Sequence, residues 1–304
     1  MRVLIVGGSG YLGRALCRTI ADICRVRGTF FRNNIAFSGT RVHLDVRNKD
    51  AAADLLRRTA PHVIFYLAYD INDLNASVVT GTGNLLEARR IYRPASRFVY
   101  VSSDAVFDGE SGPYGESHAP EPVWPYGAAK REAEIQVLAA GGTVVRTSLI
   151  YGFDPMDPRT AVLEHGLVTG NFSYPYFSDE IRCPVFVNDL CDALWEIAKG
   201  VLENKQIINV AGPEPLTRFD FAVRLARYLG HDASNIPKGR LSQHRLKRPR
   251  DLSLDIGLAR RILKTKLRSP DSILPESCMK ASDTCKIHVL TPAPDRPHGS
   301  RGIR

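Results

Sequence analysis

The sequence predicts an α/β fold in which a doubly wound parallel sheet is followed by a smaller carboxyl-terminal region. Three observations indicate this fold. Short β-rich runs alternate with helical stretches from the amino terminus to about residue 150. A glycine-rich turn joins the first β-rich run to the first helical stretch. The alternation weakens after Tyr151, where a loop-rich stretch extends to Pro184.

Six β-rich runs account for the predicted strands, and they cover residues 2–6, 25–31, 41–44, 63–68, 97–101 and 143–147. Helices are predicted between them over residues 11–23, 50–58, 77–91 and 126–140. Pro125 precedes the last of these helices, and proline suits a first helical turn because its N–H is not needed there. Strands that alternate with helices in this way form a parallel sheet with helices on both faces.

The carboxyl-terminal region is predicted to contain a helix over residues 188–199, a strand over residues 206–210 and a helix that begins at Thr217. Asp220, three residues after Thr217, completes a capping-box pattern. We expect this region, residues 149–275, to cover the carboxyl edge of the sheet formed by residues 1–148 and to complete a ligand cleft there. Residues 276–304 are rich in Pro, Ser and Thr without an apolar period, and they predict a flexible tail.

The glycine-rich turn predicts a dinucleotide site in a Rossmann-like domain. It contains Gly7, Gly8, Gly10 and Gly13 between the first strand and the first helix. Glycines at this spacing permit a tight turn, a close approach of the backbone to a pyrophosphate, and close packing of the helix on the strand. The predicted cofactor-binding residues are Gly7, Gly10, Tyr11, Leu12, Gly13, Arg32, Asp45, Ala68 and Lys130.

The end of the second strand bears on the choice of nicotinamide cofactor. A protein that uses NAD usually has an acidic residue about 20 residues after the glycines, where it holds the ribose hydroxyls. This chain instead has Arg32, whose guanidinium can pair with the 2′-phosphate of NADP. Asp45 can accept from the adenine amino group. Because Arg32 can also be a solvated surface residue and Asp45 a turn residue, we predict NADPH and keep NADH open.

A serine, a tyrosine and a lysine predict proton-transfer chemistry beside that cofactor. Tyr126 and Lys130 are four residues apart on a predicted helix, so their side chains share one face. An ammonium at about 4 Å lowers the pKa of a phenol from about 10, which makes the phenol usable as a proton donor or acceptor near neutrality. Ser103 lies at the end of the fifth strand, where its hydroxyl can hold a substrate carbonyl oxygen. A buried tyrosine and a surface lysine are the alternative interpretation.

Positive charge is concentrated in one segment of the chain. The net charge is +9, and residues 238–268 contain eleven Lys or Arg residues against Asp251 and Asp255. This segment can be a solvated surface, can face a small anion such as a diphosphate, or can meet nucleic acid. The lack of interleaved aromatic residues argues against nucleic acid.

The sequence also predicts the cellular location of the protein and whether it has a metal site. The apolar run at the amino terminus is too short for a signal peptide or a membrane span, so we expect a cytoplasmic protein without a membrane partner. The six cysteines, at positions 17, 24, 183, 191, 278 and 285, lack the CxxC spacing of zinc sites. They predict reduced thiols, and no metal site is predicted.

These motifs resemble those of the extended short-chain dehydrogenase/reductases, and within them the dTDP-4-dehydrorhamnose reductase (RmlD-like) branch. The resemblance extends over about residues 1–275. Its marks, besides Tyr126 and Lys130, are Ser102, Ser103 and Asp104 with Val106, Phe107, Asp108 and Gly109; Pro113, Tyr114 and Glu116; Pro122 and Gly127; Arg146, Thr147 and Ser148 with Tyr151; and Arg248, Pro249, Arg250 and Asp251 with Leu254 and Asp255.

The resemblance implies an NAD(P)H-dependent reduction of a keto group on a nucleotide-activated deoxysugar. It implies Ser103, Tyr126 and Lys130 as catalytic residues, with Lys130 also at the nicotinamide ribose. It implies substrate binding by Ser103, Asp104, Arg182 and Arg250, with Arg182 and the basic segment toward the substrate diphosphate. The expected partner is therefore a nucleotide sugar and not nucleic acid, and a homodimer is kept open.

Three positions refine the resemblance. Leu149 stands where the reductase branch commonly has tryptophan, which leaves the particular sugar open, and Ser103 conservatively replaces the commoner threonine. Ala105 stands where the sugar-nucleotide 4,6-dehydratases have the glutamate that elimination needs, so dehydration is disfavoured. A nucleotide-sugar epimerase, and a non-catalytic regulatory subunit similar to the methionine adenosyltransferase beta subunit, are the alternatives.

Overall fold

The computed structural model describes residues 1–202, 206–243 and 248–274. The predicted tail, with Cys278 and Cys285, lies outside the described residues, as do residues 244–247 of the basic segment. The strands are β1 (Arg2–Val6), β2 (Arg25–Phe30), β3 (Thr40–His43), β4 (Val63–Tyr66), β5 (Arg97–Ser103), β6 (Thr143–Thr147), β7 (Ile150–Tyr151), β8 (Tyr176–Phe177), β9 (Ile181–Arg182), β10 (Val185–Phe186), β11 (Ile207–Asn209), β12 (Leu216–Thr217) and β13 (Lys238–Gly239).

The α-helices are α1 (Tyr11–Ile20), α2 (Lys49–Thr59), α3 (Gly81–Tyr92), α4 (Pro125–Ala139), α5 (Pro158–Thr169), α6 (Val187–Ala198), α7 (Arg218–Tyr228), α8 (Gly257–Ile262) and α9 (Pro270–Ile273). A π-helix (Asn75–Thr80) leads into α3, and 3-10 turns cover Asp104–Val106 and Leu241–Gln243. Among the described residues, no helix combines the length and the apolar character that crossing a bilayer requires.

A seven-stranded parallel sheet forms the centre of the part of the chain that the structure describes. Its strand order is β11-β6-β5-β4-β1-β2-β3, and every neighbouring pair is parallel. The order reverses between β1 and β4, where the connections leave the sheet in opposite directions and open a crevice at the carboxyl ends of the strands. The predicted doubly wound, Rossmann-like sheet is therefore confirmed.

Alternate residues of the strands pack against helices on opposite faces of the sheet. On β1, Val3 and Ile5 belong to a core shared with α1 and α6, whereas Leu4 and Val6 belong to a core shared with α2, α3 and α4. All four side chains are buried. Because both faces of the sheet exclude water, its strands are near-continuous apolar runs, which is why they could be recognised in the sequence.

The predicted loop-rich stretch before Pro184 contains a helix, α5, so this part of the prediction was wrong. The start signals of the helix are present in the sequence. Asp157 caps it by accepting hydrogen bonds from Arg159 N (3.0 Å) and Thr160 N (3.1 Å), and Pro158 occupies its first position. Its buried residues are only Thr160, Leu163 and Gly166, too sparse a set to produce a clear apolar period.

The carboxyl-terminal region contributes to both the sheet and the cleft. β11 pairs with β6 as an edge strand, and α6 packs against α1. Thr217 caps α7 as predicted, because its Oγ1 accepts from Asp220 N at 3.0 Å and donates to Asp220 Oδ2 at 2.6 Å. α5 and α7 share a separate core around Tyr151, Leu163 and Phe221.

Candidate functional site

A cavity of about 500 Å³ opens at the carboxyl ends of β1, β2 and β4. Its wall includes five of the predicted cofactor residues, Gly7, Gly10, Arg32, Asp45 and Ala68. Side chains that the sequence analysis did not select complete the wall, among them Phe31, Arg47, Tyr69, Asp70 and Asp73. The cavity lies where the strand order reverses, which is where parallel α/β sheets bind their ligands.

The glycine turn owes its shape to contacts that a side chain would prevent. Gly7 has a φ of 92°, and a Cβ on it would lie 2.9 Å from Ala68 N. A Cβ on Gly13 would lie only 2.1 Å from Gly7 O. Gly7 N donates to Thr29 Oγ1 at 3.0 Å, which ties the turn to β2. The turn therefore keeps its backbone open to the cavity and holds α1 close to β1.

Four predicted cofactor residues lie outside the cavity wall, namely Tyr11, Leu12 and Gly13 at the start of α1 and Lys130 on α4. Gly13 packs α1 against the turn, and Leu12 packs against the core shared by α1 and α6. The Tyr11 phenol is buried without a hydrogen-bond partner among the described residues. It lies next to Gly152, whose Cβ would be 2.5 Å from its hydroxyl, and Asp157 raises its pKa together with burial. Tyr11 thus joins the glycine turn to the start of α5.

Arg32 and Arg47 on the cavity wall form ion pairs with carboxylates of the same wall, and one of these joins Arg47 Nη1 to Asp73 Oδ2 at 3.4 Å. Arg32 Nη1 contacts Asp70 Oδ2 at 2.8 Å. Arg47 Nη2 contacts Asp45 Oδ2 at 2.7 Å, and its hydrogen bonds lower the pKa of Asp45. The two guanidinium carbons lie 5.3 Å (Arg32) and 5.0 Å (Arg47) from the centroid of the Phe31 ring. Arg47 was missed in the sequence, although its place after β3 and beside Asp45 was a usable signal.

Ser103 and Tyr126, which were predicted from separate parts of the sequence, lie together. β5 ends at Ser103, and α4 begins directly before Tyr126. The hydroxyl of Ser103 acts on the phenol of Tyr126 and lowers its pKa, so the two groups are neighbours. The rings of Tyr69 and Trp124 flank that of Tyr126, with centroids 5.7 and 6.3 Å from it. Because Tyr69 also lines the cavity, the phenol adjoins the cavity.

The surroundings of Tyr126 favour its protonated form. Burial raises the pKa of Tyr126 above its usual value, and Tyr69 and Asp104 act in the same direction. The hydrogen bond with Ser103 and the charge of Arg159 oppose this rise without cancelling it. The phenol is therefore protonated at neutral pH, so that it can donate a proton.

Lys130 is buried behind Tyr126. Its Nζ donates to Val101 O at 2.9 Å and lies 5.8 Å from the centroid of the Tyr126 ring, so the two side chains face each other. Burial lowers the pKa of Lys130 to about 8. We expected the ammonium to lower the pKa of Tyr126 against the opposing effect of burial, and in the structure burial prevails and the pKa is raised. The loss of hydration of the phenol outweighs an ammonium whose hydrogen bond goes to Val101.

A buried ion pair supports the position of Lys130. Arg146 Nη2 contacts Glu134 Oε2 at 2.8 Å, and both side chains are 2% exposed. Glu134 lies one turn after Lys130 on α4 and opposes the effect of burial on the pKa of Lys130. The pair joins α4 to β6. Glu134 was missed in the sequence because nothing there marks it as buried.

Asp104 connects the predicted catalytic residues to a chain of buried charges. Ser103 Oγ donates to Asp104 Oδ1 at 3.0 Å, and Ser148 Oγ donates to Asp104 Oδ2 at 2.6 Å. Arg182 Nε lies 3.7 Å from Asp104 Oδ2, and Arg182 Nη2 lies 3.0 Å from Glu180 Oε1. Burial raises the pKa of Asp104, and Arg182 opposes this. Arg182 is therefore neutralised by two buried carboxylates.

Arg250 does not join this group among the described contacts. Its side chain is exposed, and its backbone carbonyl accepts from Ile181 N at 2.6 Å. Of the residues predicted to bind substrate, the structure thus brings Ser103, Asp104 and Arg182 together.

The described residues include no cluster of metal-ligating side chains, and their cysteine thiols are free. Within residues 1–202, 206–243 and 248–274, no group of three or more His, Cys, Asp or Glu side chains could hold a metal ion. The thiols of Cys17, Cys24, Cys183 and Cys191 are free, and burial raises the pKa of each. Such thiols are protonated and poorly nucleophilic at neutral pH.

Comparison with known proteins relates this geometry to proteins of similar sequence. Residues 1–281 match the family described as "RmlD substrate binding domain". The chain is 29% identical over 263 residues to methionine adenosyltransferase 2 subunit beta of Xenopus tropicalis, covering 79% of this chain and 74% of that protein. It is 28% identical over 240 residues to a dTDP-4-dehydrorhamnose reductase of Aggregatibacter actinomycetemcomitans, covering 74% of this chain and 78% of that protein.

A solved structure has the same architecture. The dTDP-4-dehydrorhamnose reductase of Bacillus anthracis, in complex with NADP, is similar with a TM-score of 0.75 and 21% identity, over 90% of this chain and 96% of that chain. At this identity the likeness concerns the fold. The sequence match extends over residues 1–281 of 304, so the chain belongs to the RmlD substrate binding domain family, in the extended short-chain dehydrogenase/reductase branch.

Proposed function

We propose that the protein is an NADPH-dependent oxidoreductase that reduces a keto group on a nucleotide-activated deoxysugar. The observation that carries the proposal is the position of Tyr126 beside Ser103, whose hydroxyl acts on the phenol, next to the 500 Å³ cavity of the glycine turn. The similarity to a dTDP-4-dehydrorhamnose reductase supports the substrate class, and the NADP in the Bacillus anthracis reductase supports the cofactor.

The residues of the cavity fit a dinucleotide. Gly7 packs closely on Ala68, in a space that a Cβ would fill. Because Gly7 has no side chain, the backbone there can approach a pyrophosphate. Arg32 and Arg47, which both lie near the Phe31 ring, support a site for the 2′-phosphate, since guanidinium groups pair with phosphate oxygens. When bound, NADPH supplies the hydride that reduces the carbonyl carbon of the substrate.

Side chains of the protein orient and protonate the carbonyl oxygen of the substrate. Tyr126 donates its phenolic proton to that oxygen as the oxygen becomes basic. Ser103 turns its hydroxyl hydrogen from Asp104 to the substrate oxygen and so orients the carbonyl. Lys130, with a pKa of about 8, is mostly protonated at neutral pH and stabilises the negative charge that forms on the phenol.

The proposal is tested by NADPH oxidation with nucleotide-linked 4-keto sugars, followed by the absorbance of the nicotinamide. We expect NADPH to be consumed in proportion to the sugar reduced. Ser103→Ala should lower the rate by about 100-fold or more, the usual effect of removing a hydrogen-bond donor to the reacting oxygen. Ser102→Ala is the matched control, because Ser102 is an adjacent buried serine whose Oγ has no partner among the described residues.

Two other outcomes contradict the proposal. Conversion of a sugar nucleotide without net consumption of NADPH identifies the epimerase alternative. Absence of turnover with every nucleotide-linked keto sugar tested, while NADPH still binds, removes the reductase function.

The choice of cofactor is tested at Arg32. We expect Arg32→Ala to weaken NADPH binding by about 10- to 100-fold, because a charge-assisted contact with the 2′-phosphate is lost. Binding of NADH, which lacks that phosphate, should stay unchanged in a fluorescence titration. Arg25→Ala, at the exposed opposite end of β2, is the control. An equal loss of affinity for NADPH and NADH would show that Arg32 does not bind the 2′-phosphate.

A non-catalytic subunit is a second candidate function, because the similar proteins include methionine adenosyltransferase 2 subunit beta from Danio rerio and Xenopus tropicalis. The presence of Ser103, Tyr126 and Lys130 argues against it. Gel filtration of the protein with a methionine adenosyltransferase catalytic subunit tests it. A stable complex combined with no sugar turnover would favour this candidate, and the absence of a complex would remove it.

A further inference from the structure

Arg32 and Asp70 form an ion pair across the cavity of about 500 Å³. Arg32 follows β2 and Asp70 follows β4, and both residues belong to the cavity wall. In the sheet, β1 lies between these two strands, and its carboxyl end continues into the glycine turn. The contact of 2.8 Å between Arg32 Nη1 and Asp70 Oδ2 therefore joins the two sides of the crevice next to that turn.

The Asp70 carboxylate is held in place by its own loop. Its Oδ1 accepts from Asn72 N at 3.0 Å, which leaves Oδ2 for Arg32. The backbone N–H of Asp70 donates to Ser77 Oγ at 2.8 Å, and Ser77 Oγ donates to Asp73 O at 2.7 Å. The Asp70 side chain is 26% exposed, against 60% for Arg32. The carboxylate is thus the fixed partner of the pair, and the guanidinium is the partner that can turn to a ligand.

Arg47, the other arginine that pairs with carboxylates of the wall, is held more firmly. Arg47 Nε donates to Asp45 Oδ1 at 2.8 Å, and Arg47 Nη2 donates to Asp45 Oδ2 at 2.7 Å. A carboxylate two residues away therefore fills the fork of this guanidinium. Within the described residues, Arg32 has a carboxylate contact with Asp70 alone. A single contact is displaced more easily than a bidentate one, so Arg32 is more available than Arg47 to a phosphate.

A dinucleotide in this cavity brings its adenosine ribose toward the same ion pair. On doubly wound sheets, the pyrophosphate lies at the glycine turn and the adenosine ribose lies at the end of the second strand. The 2′ position of that ribose then faces Arg32. NADPH carries a phosphate there, so the phosphate and the Asp70 carboxylate compete for one guanidinium and repel each other. NADH carries an uncharged hydroxyl, which does not compete for the guanidinium.

We infer that Asp70 limits the preference of the protein for NADPH over NADH, because its carboxylate opposes binding of the 2′-phosphate at Arg32. The inference rests on the proposed function and deepens it at the cofactor site. A carboxylate beside the phosphate-binding arginine lowers the affinity for NADPH without acting against the hydroxyl of NADH. We therefore expect the protein to bind both cofactors, with a smaller preference for NADPH than Arg32 alone would give.

Fluorescence titrations of the full chain with NADPH and with NADH test the inference. Asp70→Asn keeps the size of the side chain and an acceptor for Asn72 N, but it removes the charge. We expect this variant to bind NADPH about 10-fold more tightly at low ionic strength and to bind NADH within about 2-fold of the wild type. Because both partners of the pair are partly exposed, the gain in NADPH affinity should shrink at high ionic strength.

Asp54→Asn is the matched control for this experiment. Asp54 also forms exposed ion pairs, with Arg57 at 2.9 Å and with Arg58 at 2.8 Å, but it lies on α2 outside the cavity wall. The control should keep the wild-type affinity for both cofactors. An equal gain in NADPH affinity in this variant would mean that any lost surface charge has the effect, and it would overturn the role of Asp70.

The remaining outcomes separate the inference from the proposed function. Unchanged NADPH affinity in Asp70→Asn would overturn the inference alone. An equal change in the affinities for NADPH and NADH would also overturn it, because Asp70 would then act on a part of the cofactor that both share. Failure of the wild-type protein to bind either cofactor would overturn the inference together with the proposed oxidoreductase function.

Discussion

Replacement of Tyr126 with phenylalanine is expected to lower kcat by about 100- to 10,000-fold, the contribution usual for a positioned general acid. The variant removes only the phenolic hydroxyl, because phenylalanine keeps the ring contacts with Tyr69 and Trp124. The affinity for NADPH and the Tm should therefore remain close to those of the wild type. Steady-state NADPH oxidation with a nucleotide-linked keto sugar measures the rate, and fluorescence titration measures the affinity.

Tyr69→Phe is the matched control for this experiment. Tyr69 is a second phenol beside Tyr126, but it is 54% exposed and lines the cavity wall. We expect this variant to retain most of the wild-type rate. A loss in Tyr69→Phe as large as that in Tyr126→Phe would assign the proton transfer to Tyr69, and an undiminished rate in Tyr126→Phe would remove Tyr126 as the donor.

Replacement of Gly127 with alanine is expected to lower both activity and stability. A Cβ on Gly127 would lie 1.9 Å from Ala105 O and 2.9 Å from Pro122 Cβ. Since a backbone carbonyl cannot yield as a flexible side chain can, the start of α4 must move away from Ala105, and Tyr126 moves with it. A displacement of about 1 Å can cost about 100-fold in rate, and overpacking costs about 1–3 kcal/mol of stability.

Thermal unfolding and kcat measurements check the Gly127 prediction. The control is Gly115→Ala, because the nearest atom to a Cβ there is His118 Nδ1 at 3.6 Å, an ordinary contact. This variant should retain the wild-type Tm and rate. Normal activity in Gly127→Ala would mean that the position of α4 relative to β5 tolerates change, and that the alignment of Tyr126 with Ser103 does not limit the reaction.

The sheet and the candidate reaction centre could be predicted because their signals are local. β1 and β6 have the predicted bounds, since apolar runs that end at glycine or a polar residue mark strands buried on both faces. Tyr126 and Lys130 face each other because four residues make about one helical turn. Ser103 lies beside them because the ends of adjacent parallel strands meet at one edge of a sheet.

The charged residues of the cleft were harder to assign. Arg182 was expected to face a diphosphate, and its contacts with Asp104 and Glu180 could not be predicted from the sequence. Which arginines are neutralised depends on carboxylates contributed by distant segments, and that pairing has no local signature.

The sequence by itself determined the order of strands and helices, the glycine turn and the choice of Ser103, Tyr126 and Lys130 as candidate proton-transfer residues, because each depends on residues within one turn or one strand. Only the tertiary structure decided the protonation of those residues. Burial holds the proton on Tyr126 and lowers the pKa of Lys130 to about 8, and burial is a property of the packed chain. It also decided which guanidinium groups form ion pairs with buried carboxylates, since such pairs form between segments that folding brings together.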